Sequence, residues 1–167
     1  PDLPKNYQIS QYEIPVVLGG SLTFFVGDKE TTINLTRAHL EEDKARLRHE
    51  KGSDGKRSSL IDYNLSGVAL LEIVTEPDIR DAETARRYAE ELRLLLRTIG
   101  AADAEMENGQ MRVEANVSIR PSEDAPFGTR TEVKNMNSFR SVEKAIAFEI
   151  ARQAEVLESG GSITQET

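Results

Sequence analysis

Hydrophobic and polar residues alternate without exception over "MRVEANVSIR", residues 111–120. Met111, Val113, Ala115, Val117 and Ile119 fall on one face of a strand; Arg112, Glu114, Asn116, Ser118 and Arg120 fall on the other. "TRTEVKN" alternates in the same way at 129–135, so the two segments predict a strand pair joined through the acidic loop "PSEDAPFG". Two stretches carry a helical period instead. In "DIRDAETARRYAEELRLLLRTIG" the stripe is Ala85, Tyr88, Ala89, Leu92, Leu95, Leu96 and Ile99, with Asp81 as N-cap and Gly100 as stop. A second helix is expected over 139–158, capped by Asn137 or Ser138. Val142, Ile146, Ile150 and Leu157 line one side of it, and Gly160-Gly161 ends it.

The N-terminal half reads as strands. "PDLPKNYQISQYE" has two prolines and no clear period, which predicts an extended, loop-like start. "IPVVLGG" predicts a short strand stopped at Gly19-Gly20. "SLTFFVGDKETTINLTR" predicts a hairpin with arms at 22–26 and 31–35 and a turn at Gly27-Asp28. "AHLEEDKARLRHEKGSDGKRSSLID" is the most charged stretch, with a loop tip at Gly52-Ser53-Asp54-Gly55. "VALLEIVTEP" predicts a buried strand stopped by Pro77. The order is strands, helix, two strands, helix. It predicts an α+β fold with a largely antiparallel sheet, helices on one face and the other face open.

Composition narrows the class. A chain of 167 residues that is 38% hydrophobic and 30% charged predicts one soluble globular domain. It has no apolar run of about eighteen residues to suggest a membrane span, and no secretion leader. Cysteine is absent, which removes disulfides and thiolate metal sites and fits the cytoplasm. A net charge of −8 argues against non-specific nucleic-acid binding by the segment as a whole. Pro1 and Thr167 read as cuts through a longer protein. No GxGxxG, Walker loop or zinc spacing is present, and nothing points to a Ser-His-Asp set.

Three features can carry chemistry. The polar face of the predicted pair shows Arg112, Glu114, Asn116, Glu132 and Lys134. It reads either as cross-strand salt bridging on a wet face or as a floor for a metal and phosphates. Glu72 sits among apolar neighbours in "VALLEIV" and needs a partner, a metal or a proton. In "HLEED", His39, Glu41 and Asp43 share a face if the segment is extended; His39, Glu42 and Asp43 cluster if it is helical. Either set offers ligands to Mg²⁺, and the alternative is a solvated acidic turn.

"PDLPKNYQISQYE", "TRAHLEED", "DYN..G", "LLEIVTEPDIR", "MRVEANVSIRP", "GTRTEVKNMNSFR" and "LESGGSITQET" occur in this order over essentially the whole chain. Together they resemble the catalytic (cradle) region of the B-subunit of the aspartyl/glutamyl-tRNA(Asn/Gln) amidotransferases. The resemblance implies a glutamine synthetase- or guanido kinase-like fold. It implies a ligase that uses ATP and Mg²⁺ to phosphorylate the side-chain carboxylate of Glu or Asp on misacylated tRNA. Ammonia would come from glutamine hydrolysed by a partner glutaminase (amidase), the A-subunit, with a small C-subunit completing a heterotrimer. On that reading residues 1–167 form one domain. The N-terminal metal motif and the C-terminal tRNA-binding domains lie outside it, and the fragment alone is inactive.

Residue by residue, the resemblance implies metal ligation by Glu42 and matches Glu72 and Glu114 to carboxylate positions also expected to ligate; His39 is added as a ligand from its place in "HLEED". The resemblance implies catalytic roles for Glu72, Glu114 and Lys134 and nucleotide contacts from Lys134, Asn135 and Asn137; Arg112 and Asn116 are added as nucleotide contacts from the polar strand face. Leu65 stands where the family usually has Arg, and Glu114 where it usually has Asp. These departures motivate one alternative, a non-catalytic scaffold that docks the glutaminase; the archaeal E-subunit paralogue is a further alternative.

Overall fold

The computed structural model describes residues 9–51 and 55–167. Its elements run β1 (Val17–Leu18), β2 (Ser21–Val26), β3 (Lys29–Glu42), β4 (Arg46–Lys51), β5 (Arg57–Asp62) and β6 (Ala69–Thr75). Then follow α1 (Ala82–Thr98), β7 (Val113–Val117), β8 (Thr131–Met136) and α2 (Phe139–Glu158). Every strand pair with a resolved register is antiparallel, so the expected α+β class with antiparallel sheets is what forms. The chain gathers into two compact units. One is Pro1–Ser21 with Asn34–Pro77; the other is Leu22–Ile33 with Asp78–Thr167.

In the first unit the described residues form strands and turns only. The second part of β3 is flanked by β1, where Val17 faces Ala38, and by β6, where Leu35 through Glu42 run against Thr75 through Ala69. The predicted hairpin arm at 31–35 therefore continues to Glu42, and "HLEED" is strand for most of its length. Residues 9–11 join the same strand through Gln11 N–H to Leu40 O and Glu42 N–H to Ile9 O. The charged stretch folds as a second hairpin of β4 and β5, which its polarity had concealed. Of its predicted loop tip, Gly52, Ser53 and Asp54 lie outside the described residues.

One expectation is corrected. "VALLEIVTEP" forms a strand, but not a buried one: no residue of β6 is buried, and Leu71 is 44% exposed. Among the described residues β6 pairs with β3 alone, which makes it an edge strand, and no described helix of its unit packs on it. β-branched content reports a preference for pleated backbone, not burial.

In the second unit the two helices pack on β7 and β8 around a core of Ala85, Met106, Val117, Met136, Val142 and Ile146. Met111, Val113 and Ala115 pack against that core, as their alternation predicts. The strand itself spans Val113–Val117, shorter than the alternating run. Helix α1 starts at the expected cap, where the Asp81 carboxylate accepts the Thr84 N–H at 2.7 Å. Its stripe buries Ala85, Tyr88 and Ala89, whereas Leu95 and Ile99 stay exposed toward the C-terminus. Ser138 caps α2 by accepting the Ser141 N–H.

Candidate functional site

Alternation in a strand, combined with register, decides which side chains meet. His39 and Glu72 are direct partners across β3 and β6, and Arg37 and Glu41 occupy the same face two residues to either side of His39. His39 is fully buried, and its Nε2 lies 2.8 Å from Glu72 Oε2 and 3.3 Å from Glu41 Oε1. One ligand atom from each of His39, Glu41 and Glu72 falls within 4.8 Å of the others. One imidazole nitrogen and two carboxylate oxygens suit a divalent cation such as Mn²⁺ or Mg²⁺. The cluster therefore fits a metal by donor type and by convergence.

Glu42 is placed differently. It faces Ala69 across the ladder and so projects from the opposite side of β3 to His39 and Glu72. The extended form of "HLEED" thus gathers Glu41 with His39. Asp43 follows the strand end, is largely buried, and accepts the Lys44 N–H on its own carboxylate.

Aromatic packing holds the imidazole. The Tyr12 ring meets the His39 ring edge-on at 5.9 Å between centroids. The Arg37 guanidinium lies 4.3 Å from the centre of the Tyr12 ring. His39 Nδ1 and Arg37 Nε are both buried and have no hydrogen-bond partner among the described residues.

The second unit carries the other candidates. On the polar face of β7 and β8, Lys134 Nζ lies 3.3 Å from Glu114 Oε2 and 3.4 Å from Glu132 Oε1. Hydrogen bonding to Glu114 comes first among the causes that hold the Lys134 ammonium above its ordinary pKa; the charge of Glu114 and the contacts with Glu132 add to it. The ladder steps from Val113–Met136 to Ala115–Val133, so Glu114 faces the two residues Lys134 and Asn135 across a bulge. Asn135 has φ +61°, a left-handed conformation that Asn tolerates better than most residues. The extra residue lets Val133 and Met136 both turn to the core while Lys134 and Asn135 stay exposed. Asn116 faces Glu132 on the same strand pair, and Arg112 is exposed just before β7. Asn137 accepts the Ser141 hydroxyl at 3.1 Å and so helps fix the start of α2.

Sequence reasoning missed a buried polar network beneath this face. Arg152 donates through two nitrogens to Glu149, each at 2.8 Å. Thr131 donates to Glu149 at 2.6 Å, and Gln153 donates to Glu149 and to Val117 O. The Arg152 hydrogen bonds, aided by those from Thr131 and Gln153, pull the Glu149 carboxyl down to about 2, against the opposing effect of burial. Arg152 also pairs with Glu166, whose backbone carbonyl accepts the Glu132 N–H, so the C-terminal segment is tied to β8. A signal existed: Glu149 and Gln153 continue the inward side of α2 at helical spacing from Val142 and Ile146. Arg37 was legible in the same way, two residues from His39 on an extended strand.

Fold and site define an α+β protein with antiparallel sheets that sets a histidine–dicarboxylate cluster on one strand pair. The chain belongs to the family described as the GatB/GatE catalytic domain, whose model matches residues 1–167. It is 56% identical over 169 residues to the B-subunit of the aspartyl/glutamyl-tRNA(Asn/Gln) amidotransferase of Bordetella petrii. It is 52% identical to the corresponding B-subunit proteins of Moorella thermoacetica, over 167 residues, and of Gloeothece citriformis, over 176. Each match covers 100% of this chain and 35% of the relative, so the chain spans about a third of their length. The resemblance read from the motifs is borne out. No helix among the described residues is long and apolar enough to cross a membrane.

Proposed function

We propose that this chain is the activating part of a tRNA-dependent amidotransferase. It serves the ATP- and Mg²⁺-dependent phosphorylation of the side-chain carboxylate of Glu or Asp on misacylated tRNA, and its amidation. The carboxylate oxygen attacks the γ-phosphorus and ADP leaves; ammonia then displaces phosphate from the acyl phosphate to give the amide. A partner glutaminase supplies the ammonia, in keeping with the multi-subunit enzyme that the names of the relatives describe.

The convergence of His39, Glu41 and Glu72 carries this reading. These residues would hold the divalent cation, which supplies charge neutralisation beside phosphate groups. His39 and Glu72 are set by register, so the pair is positioned before any ligand arrives. On the second unit, Lys134 keeps a full positive charge near Glu114 and suits stabilisation of charge on a phosphoryl group. The bulge at Asn135 fixes the stretch of backbone that presents it.

The test uses the full-length protein assembled with its glutaminase partner. Glu72→Gln should abolish amidation of Glu-tRNA or Asp-tRNA, whether glutamine or ammonium is the nitrogen source. Glutamine hydrolysis by the partner should persist. Undiminished amidation by that variant would overturn the assignment.

A further inference from the structure

Arg37 shares the β3 face with His39 and Glu41, two residues from His39, or about 7 Å along the strand. Among the described residues, the contact recorded for its guanidinium is the face of Tyr12, and its buried Nε N–H has no acceptor. Among the other half-buried arginines, Arg86, Arg87, Arg93 and Arg152 lie within ion-pair distance of glutamates, and Arg120, over the Phe127 ring, donates to Ala125 O. An arginine on the strand face of His39 that holds no carboxylate among the described residues has N–H donors open to another anion. Stacking on Tyr12 fixes the guanidinium plane without consuming its N–H donors, and such a fork matches phosphate oxygens. A candidate metal cluster with a cation two residues away on one strand, unpaired with any carboxylate among the described residues, is an arrangement suited to a metal–phosphate ligand.

We propose that Arg37, held by Tyr12, binds a phosphate group of the nucleotide next to the cation at His39, Glu41 and Glu72. This rests on the proposed function for the identity of the ligand, and adds to it a phosphate-contact residue and an aromatic support. Tyr12 is a positioning residue: its ring lies under the Arg37 guanidinium and meets the His39 ring at 83°, so it orients the cation and the metal ligand together.

The test measures two affinities on the full-length protein: free Mn²⁺ by electron paramagnetic resonance, and ATP by calorimetry. Arg37→Gln should weaken ATP at least tenfold and leave Mn²⁺ within twofold. Arg37→Lys, which keeps charge but not the fork, should fall between. Tyr12→Phe should match wild type in both, whereas Tyr12→Leu should weaken both. Wild-type ATP affinity in Arg37→Gln overturns the proposal. Equal loss of Mn²⁺ and ATP in both Arg37 variants, with unchanged thermal melting, assigns Arg37 to site structure and also overturns it. Failure of the underlying reading looks different: wild-type protein would bind no Mn²⁺, while the Arg37 series on ATP still judges the phosphate contact.

Discussion

His39 Nε2 sits 2.8 Å from Glu72 Oε2 because the two residues are register partners on β3 and β6. The imidazole is fully buried, and Glu72 is half exposed, 48% by side chain. One strand supplies an enclosed nitrogen and the other a carboxylate that solvent can still reach. An ion can enter from the Glu72 side and meet a ring already held by Tyr12.

Removing one ligand of this cluster should cost metal affinity without unfolding the strand pair. Glu72→Gln keeps the shape of the side chain and removes its charge, so Mn²⁺ affinity should fall by about tenfold or more, while the thermal midpoint moves little. Paramagnetic resonance of free Mn²⁺ measures the first and circular dichroism the second. Running Glu41→Gln and Glu42→Gln in the same titration assigns the remaining carboxylate, because the register sets these two on opposite faces of β3.

The bulge makes a backbone prediction. Asn135 at φ +61° occupies the left-handed region, where a β-branched side chain costs roughly 1–2 kcal/mol. Asn135→Val should lower unfolding free energy by about that much, whereas Asn135→Gly should stay within a few tenths. Urea titrations compare the two. Equal losses would mean that the side-chain amide, not the backbone, holds the bulge.

The Glu149 network predicts a pH dependence. Its folded carboxyl is depressed to about 2, below its unfolded value of 4.5, so the unfolded chain takes up the proton first. The contribution is therefore present above pH 4.5 and is lost as pH falls through about 2. A shift of this size corresponds to on the order of 3 kcal/mol. Glu149→Gln should be less stable than wild type at pH 6, and the gap should close toward pH 2. Urea unfolding of both proteins across that range reads it directly, and a gap independent of pH would contradict the network.

Core packing in the second unit gives a further expectation. Ile146 is 8% exposed in the cluster beneath β7 and β8. Ile146→Ala should cost about 2–5 kcal/mol through lost burial and the cavity left behind. The same truncation at Phe148, which is 70% exposed on the same helix, should cost far less. Thermal melting of the two variants separates core from surface.

Much of this protein was written in local periodicity. Alternation over 111–120 set which side chains of β7 pack on the helices, and Asp81, Ser138 and the glycines bounded α1 and α2. Those features depend on neighbours within a few residues, which a sequence displays directly. The motif series likewise carried the family, because order and spacing survive without coordinates.

What waited for tertiary structure was every choice that needs a partner from far along the chain. That β6 is an edge strand depends on how many strands flank it, which no window of sequence records. That Glu41 rather than Glu42 joins His39 depends on "HLEED" being drawn into a ladder opposite residues 69–72. Tyr12 reaches His39 across 27 positions of sequence, and Lys134 meets Glu114 across a bulge whose extra residue breaks simple alternation. Local propensity follows from the chain's own backbone and nearest side chains; register and long-range contact follow from the whole fold, and the candidate site is built from the second kind.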